Sequence, residues 1–144
     1  MIRPGFAHGG AALLRCLLLT ACNQSSAPAS NSITRQQQTV DGITVTLEMA
    51  AEPELNRPYH FVVTLSDAQG QFVDAVDVYL ELEMTAHPMG SNKPIATAQG
   101  AGTYDVEAVY TMTGPWAITV FAELDGKTYR ATFNTTVEEP LATP

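Results

Sequence analysis

Trp116-Ala117-Ile118-Thr119-Val120-Phe121-Ala122-Glu123-Leu124-Asp125-Gly126-Lys127-Thr128-Tyr129-Arg130-Ala131-Thr132-Phe133 is the stretch that decides the fold. Trp116, Ile118, Val120, Ala122 and Leu124 share one parity and alternate with Ala117, Thr119 and Glu123. Beyond the break, Tyr129, Ala131, Phe133, Thr135 and Val137 form a second alternating set. Successive side chains of a strand point to opposite faces, so a period of two marks a strand with one buried and one wet face. Asp125-Gly126 between the two runs is a hairpin signal, because a tight two-residue turn needs positive φ at both positions.

The same reading extends upstream. Ile43, Val45, Leu47 and Met49 alternate with Thr44, Thr46 and Glu48. Tyr59, Phe61, Val63 and Leu65 share a parity, as do Val76, Val78, Leu80, Leu82 and Met84. A short strand is expected over 93–98, and another carries Tyr104, Val106, Ala108, Tyr110 and Met112. Turn chemistry separates the runs at Ala68-Gln69-Gly70, Gln99-Gly100-Ala101-Gly102 and Thr113-Gly114-Pro115. About seven strands with short connections and one-sided alternation predict an all-β fold: an immunoglobulin-like antiparallel β-sandwich. The cysteine pair of antibody domains is missing, and Trp116 is the expected core anchor.

The N-terminus carries a different signal. Leu17-Leu18-Leu19-Thr20-Ala21-Cys22 resembles a bacterial lipobox, with Arg3 and Arg15 on its basic side. The resemblance implies a lipoprotein signal peptide over 1–21 and acylation, such as palmitate, at Cys22. Its apolar stretch is too short to span a bilayer as a helix. Residues 22–39, rich in Ser, Ala, Asn and Gln, are expected to be a flexible tether. The folded domain is expected over 40–138, with a loose tail at 139–144.

Loss of residues 1–21 removes Arg3 and Arg15, leaving five basic against 15 acidic residues, a net charge of −10. That balance argues against nucleic acid and anionic headgroups as partners. Cys16 falls inside the signal and Cys22 at the lipid, so no thiol is left for a disulfide, a zinc–thiolate site or catalysis.

Met84-Thr85-Ala86-His87-Pro88-Met89-Gly90 holds the candidate chemistry. Thioether and imidazole together favour copper, Cu(I) above all, over hard cations. If the strands alternate in direction, the ends carrying Met49, Met84 and Met112 meet at one pole, with His60, His87, Met89 and Trp116. Met49, Met84 and Met112 have inward parity, where methionine commonly fills core gaps. His60 has outward parity and is expected on the surface. His87 and Met89 lie in a loop where no core calls for them.

Three segments carry a family resemblance: Met84-Thr85-Ala86-His87-Pro88-Met89, Gly102-Thr103-Tyr104, and Tyr110-Thr111-Met112-Thr113-Gly114-Pro115-Trp116. Over roughly Val40–Val137 the chain resembles the YtkA-like/FixH-like periplasmic domains. That resemblance implies an exported, often membrane-tethered sandwich, some of whose relatives are associated with copper handling, cation pumps or oxidase assembly.

Two functions remain open on this reading. One is a lipid-anchored binding module on the periplasmic face of a bacterial membrane, holding or transferring copper through Met84, His87, Met89 and Met112. The other is a structural or interaction domain of the cell envelope that docks a protein partner and holds no metal. An enzyme is not expected: the chain has no nucleophile elbow, no phosphate-cradling Gly loop and no HExxH motif.

Overall fold

The Asp125-Gly126 turn forms as its sequence requires. It joins β7 (Gly114–Leu124) to β8 (Lys127–Val137), with Leu124 opposite Lys127 and φ of 51° at Asp125 and 75° at Gly126. The computed structural model describes residues 32–88 and 90–139. Before this hairpin run β1 (Ile33–Val40), β2 (Ile43–Ala50), β3 (Pro58–Ser66), β4 (Asp77–Met84), β5 (Thr97–Gly100) and β6 (Thr103–Val109).

The strands form two antiparallel sheets, ordered β1-β2-β3-β6-β5 and β4-β7-β8. Without β1, this is the four-plus-three arrangement of a constant-type immunoglobulin sandwich. The inward rows of both sheets make one core. Leu47, Phe61, Val63, Leu65, Leu80, Ile118 and Val120 are completely buried, each worth about 1.5–3 kcal/mol relative to exposure.

The tether expected over 22–39 is corrected from Ile33 onward. Ile33 to Val40 pairs residue for residue with Ala50 to Ile43, closed by a second Asp-Gly turn at Asp41 (φ 48°) and Gly42 (φ 83°). The domain therefore begins at β1, before residue 40, and has eight strands. β1 has no buried residue, so it carries no apolar alternation to read. It is an edge strand whose polar side chains do structural work. Gln36 Nε2 donates to the Asn134 carbonyl at 3.0 Å, and the Thr132 amide donates to Gln38 Oε1 at 2.8 Å. These glutamines satisfy backbone groups at the rim of β8 and so stitch the two sheets together at their edges.

The short strand expected over 93–98 is also displaced. Residues 92–96 run beside β4 through bridges Leu82–Asn92 and Tyr79–Ile95, then cross to the other sheet, where β5 spans Thr97–Gly100. Glu81 holds this crossing segment. Its carboxyl is kept below the ordinary carboxylate range by a Ser91 hydrogen bond, helped by Lys93 at 3.3 Å.

Candidate functional site

Antiparallel order brings the ends of β2, β4 and β6 and the starts of β3 and β7 to one pole. Met84, the last residue of β4, lies directly opposite Trp116. The Trp116 indole N–H donates to the Met112 carbonyl at 3.0 Å, which folds the β6–β7 connection back on the ring. Tyr110 meets Trp116 edge-on at 5.4 Å and Phe61 at 6.0 Å, with Tyr59 at 6.3 Å. Edge-to-face contacts of this kind add to the area the rings bury. Burial pushes the Tyr110 phenol far above its ordinary value.

Gly114 explains part of this geometry. Its φ is +118°, and a Cβ there would sit 3.0 Å from Met84 Cε. The strained turn and the close approach of the thioether methyl both favour glycine. The Thr85 amide donates to the Pro115 carbonyl at 3.0 Å, pinning the exit of β4 against the entry of β7.

The candidate ligands divide accordingly. Met84 is 7% exposed and Met49 2%, both members of the core. Met112 is half-buried against that core, and His87 is exposed in the connection that leaves β4. Met89 and Cys22 lie outside the described residues. Trp116 is buried, as its role as a core anchor requires.

His60 stands apart from the methionines. It projects from the wet face of β3, with Nδ1 3.0 Å from an Asp105 oxygen and Nε2 3.7 Å from Glu107. The Asp105 hydrogen bond raises its pKa. The two carboxylates address different ring nitrogens, so they make a hydrogen-bonded row across strands and do not converge on one point.

The Gly102-Thr103-Tyr104 segment proves to be structural. A Cβ on Gly102 would lie 2.7 Å from the Leu65 carbonyl and 2.8 Å from that of Val73. The Gly102 amide donates to Asp74 at 2.8 Å, and the Tyr104 hydroxyl donates to the Ala75 carbonyl at 3.2 Å. Together they moor the long loop between β3 and β4.

One feature of the pole escapes the alternation pattern. A groove of about 1120 Å³ runs between the β2–β3 loop, the start of β1 and the end of β8. Glu48, Glu52, Glu54, Glu138 and Glu139 line it, together with Arg57 and His60, while Ile33, Met49, Pro53 and Val62 add apolar lining. The signal for it was the Asp41-Gly42 turn. Pairing back from that turn carries Ile33 beside Ala50, at the methionine end of β2.

Among the described residues no cluster of three or more His, Cys, Asp or Glu could hold a metal ion. The donors that the pole does gather are thioethers, with His87 beyond them. Such a set is soft and suits Cu(I) before zinc or calcium.

The fold and this pole define an immunoglobulin-like sandwich with a methionine-bearing end. The YtkA-like family matches residues 37–121, from within β1 to within β7, and the chain belongs to that family. No curated protein matches it. Among solved structures, the chain is similar to a DUF4785 family protein from Legionella pneumophila subsp. pneumophila str. Philadelphia 1, with a TM-score of 0.52 at 11% identity. The match covers 70% of this chain and 29% of that one, so the chain spans under a third of that protein's length, and the likeness is one of fold.

Proposed function

We propose that this chain is an exported, lipid-anchored binding module of the cell envelope that holds or hands over copper at its methionine pole. Met84, Met112, His87 and Met89 are the ligands in this reading, with Trp116 screening the site, and Cys22 carries the lipid on the periplasmic face. The chain acts by binding and not as an enzyme. The observation that supports it is the convergence on Trp116: Met84 faces it across the β4–β7 ladder while the Met112 carbonyl takes its indole hydrogen bond. A thioether needs no deprotonation to bind, so its affinity for Cu(I) does not fall in mild acid as that of His does.

A competition titration of the full chain against a chromophoric Cu(I) chelator tests this. Trp116 is the only tryptophan, so quenching of its fluorescence reports binding at the pole. The wild type is expected to compete, and His87→Ala/Met89→Ala to lose about tenfold or more in affinity, roughly 1.4 kcal/mol. Equal and negligible binding by both ends the copper reading.

The second reading is a domain that holds no metal and docks an envelope protein. The low exposure of Met84 and Met49 favours it, because core packing alone accounts for both. Met84→Leu separates the two. It keeps the volume at a cost below about 1.5 kcal/mol and removes the sulfur. Unchanged stability with weakened Cu(I) binding supports the metal; unchanged Cu(I) behaviour assigns Met84 to the core.

A further inference from the structure

We propose that the groove between the β2–β3 loop, the start of β1 and the end of β8 docks a cationic peptide segment of a partner protein, bearing at least one apolar anchor.

Its shape and its charge are separate observations. At about 1120 Å³ the groove is slightly larger than the sites that bind compact ligands, and it is partly open, which leaves room for an extended peptide. Ile33 is among the groove's lining residues and has 69% of its surface exposed, so it is available to an apolar side chain. A partner's apolar side chain would cover it.

Charge selects the occupant. Five glutamates line the groove against a single guanidinium, that of Arg57, which is already paired with Glu54 at 2.8 Å. Glu48 is paired with Arg35. Glu52, Glu138 and Glu139 have no ion pair among the described residues, and all three are exposed. A second copy of this chain, with a net charge of −8, would be repelled, as would nucleic acid or an anionic lipid surface. A Lys- or Arg-bearing segment meets complementary potential, which speeds encounter and fixes its direction. Docking here does not depend on copper, since Met84, His87 and Met112 do not line the groove.

The test uses the full chain with copper chelated, and a short fluorescent lysine peptide carrying one central leucine. Anisotropy titration is expected to give saturable binding that weakens with salt, and none to a glutamate peptide of the same design. Glu52→Lys/Glu138→Lys/Glu139→Lys is expected to weaken binding about tenfold. The matched control, Asp77→Lys/Glu83→Lys/Glu123→Lys, places the same charge change on the outer face of the three-stranded sheet and is expected to leave binding within about twofold. Ile33→Ser should cost about threefold at every salt concentration, through lost apolar contact. Trp116 fluorescence verifies that each variant is folded.

Equal losses in the two triple variants would overturn the proposal, leaving only attraction to net charge. His87→Ala/Met89→Ala is expected to bind the peptide like wild type, so failure of the copper reading and failure of this one are distinguishable.

Discussion

Gly102 shows how much a single position can decide. Its α-hydrogen faces two backbone oxygens, and a methyl group in its place would approach them at 2.7 and 2.8 Å with φ held at +66°. Neither oxygen can retreat without unseating the loop between β3 and β4. Gly102→Ala is expected to destabilise the chain by roughly 3 kcal/mol in urea unfolding. The glycine was visible in the sequence as part of a motif. Its cause was not, because it depends on Leu65 and Val73, which are far away in the chain. His60 is the reverse case, since its outward parity was legible and its partner was not. The Asp105 hydrogen bond raises its pKa, so the folded state binds a proton that the unfolded state releases earlier. The stabilisation is fully present below the unfolded value of about 6.5 and is lost as pH rises through the folded value. Asp105→Asn is therefore expected to lower the His60 titration midpoint by NMR and to flatten the pH dependence of stability over that window. An unmoved midpoint would show that Asp105 is not the cause.

At the scale of elements, β1 marks the boundary of what periodicity can reveal. Six strands announced themselves by alternating apolar residues, because each has a face toward the core. β1 has none: its sequence, ITRQQQTV, lies on an edge with no buried residue, and its polar composition imitates a linker. The signal that did survive was local turn chemistry, Asp41-Gly42, identical to the Asp125-Gly126 pair that joins β7 to β8. The displaced β5 has a related origin, because residues 92–96 pair with one sheet and 97–100 with the other, and a single alternating run cannot encode that exchange. The contribution of β1 is measurable. A chain beginning at Val40 loses the eight β1–β2 residue pairs nearly entirely and uncovers Asn134 and Thr132 at the rim of β8. It is expected to be several kcal/mol less stable than one beginning at Ser32, and Gln36→Ala/Gln38→Ala to cost about 1–2 kcal/mol. Equal unfolding midpoints for the two chain lengths would return 32–39 to the role of a tether.

For the whole molecule, strand order alone placed Met49, Met84, Met112 and Trp116 at one pole, because antiparallel connections leave few alternatives. What strand order could not give is how deeply each sulfur is buried, which depends on the packing of both sheets. Nor could it show that the same pole carries the glutamate-lined groove, since that needs β1. Charge is distributed as the fold demands, with the carboxylates on the outward parity of the strands and in loops, and a net charge of −8 on the chain. Repulsion among them opposes compaction, while the surface pairs Lys127–Asp41, at 2.8 Å, and Lys93–Glu81, at 3.3 Å, favour it weakly. Salt screens both, over a distance of about 10 Å at 0.1 M. The 15 acidic residues outnumber the six ion pairs found among the described residues, so added salt should stabilise the fold. The urea midpoint, followed by Trp116 fluorescence, is expected to rise as sodium chloride is raised from about 0.01 to 0.2 M, by an amount equivalent to about 1 kcal/mol or less. A midpoint that falls with salt would mean that the ion pairs outweigh the repulsion. In the groove the same screening acts in the opposite sense, because salt that steadies the acidic chain weakens its hold on a cationic segment.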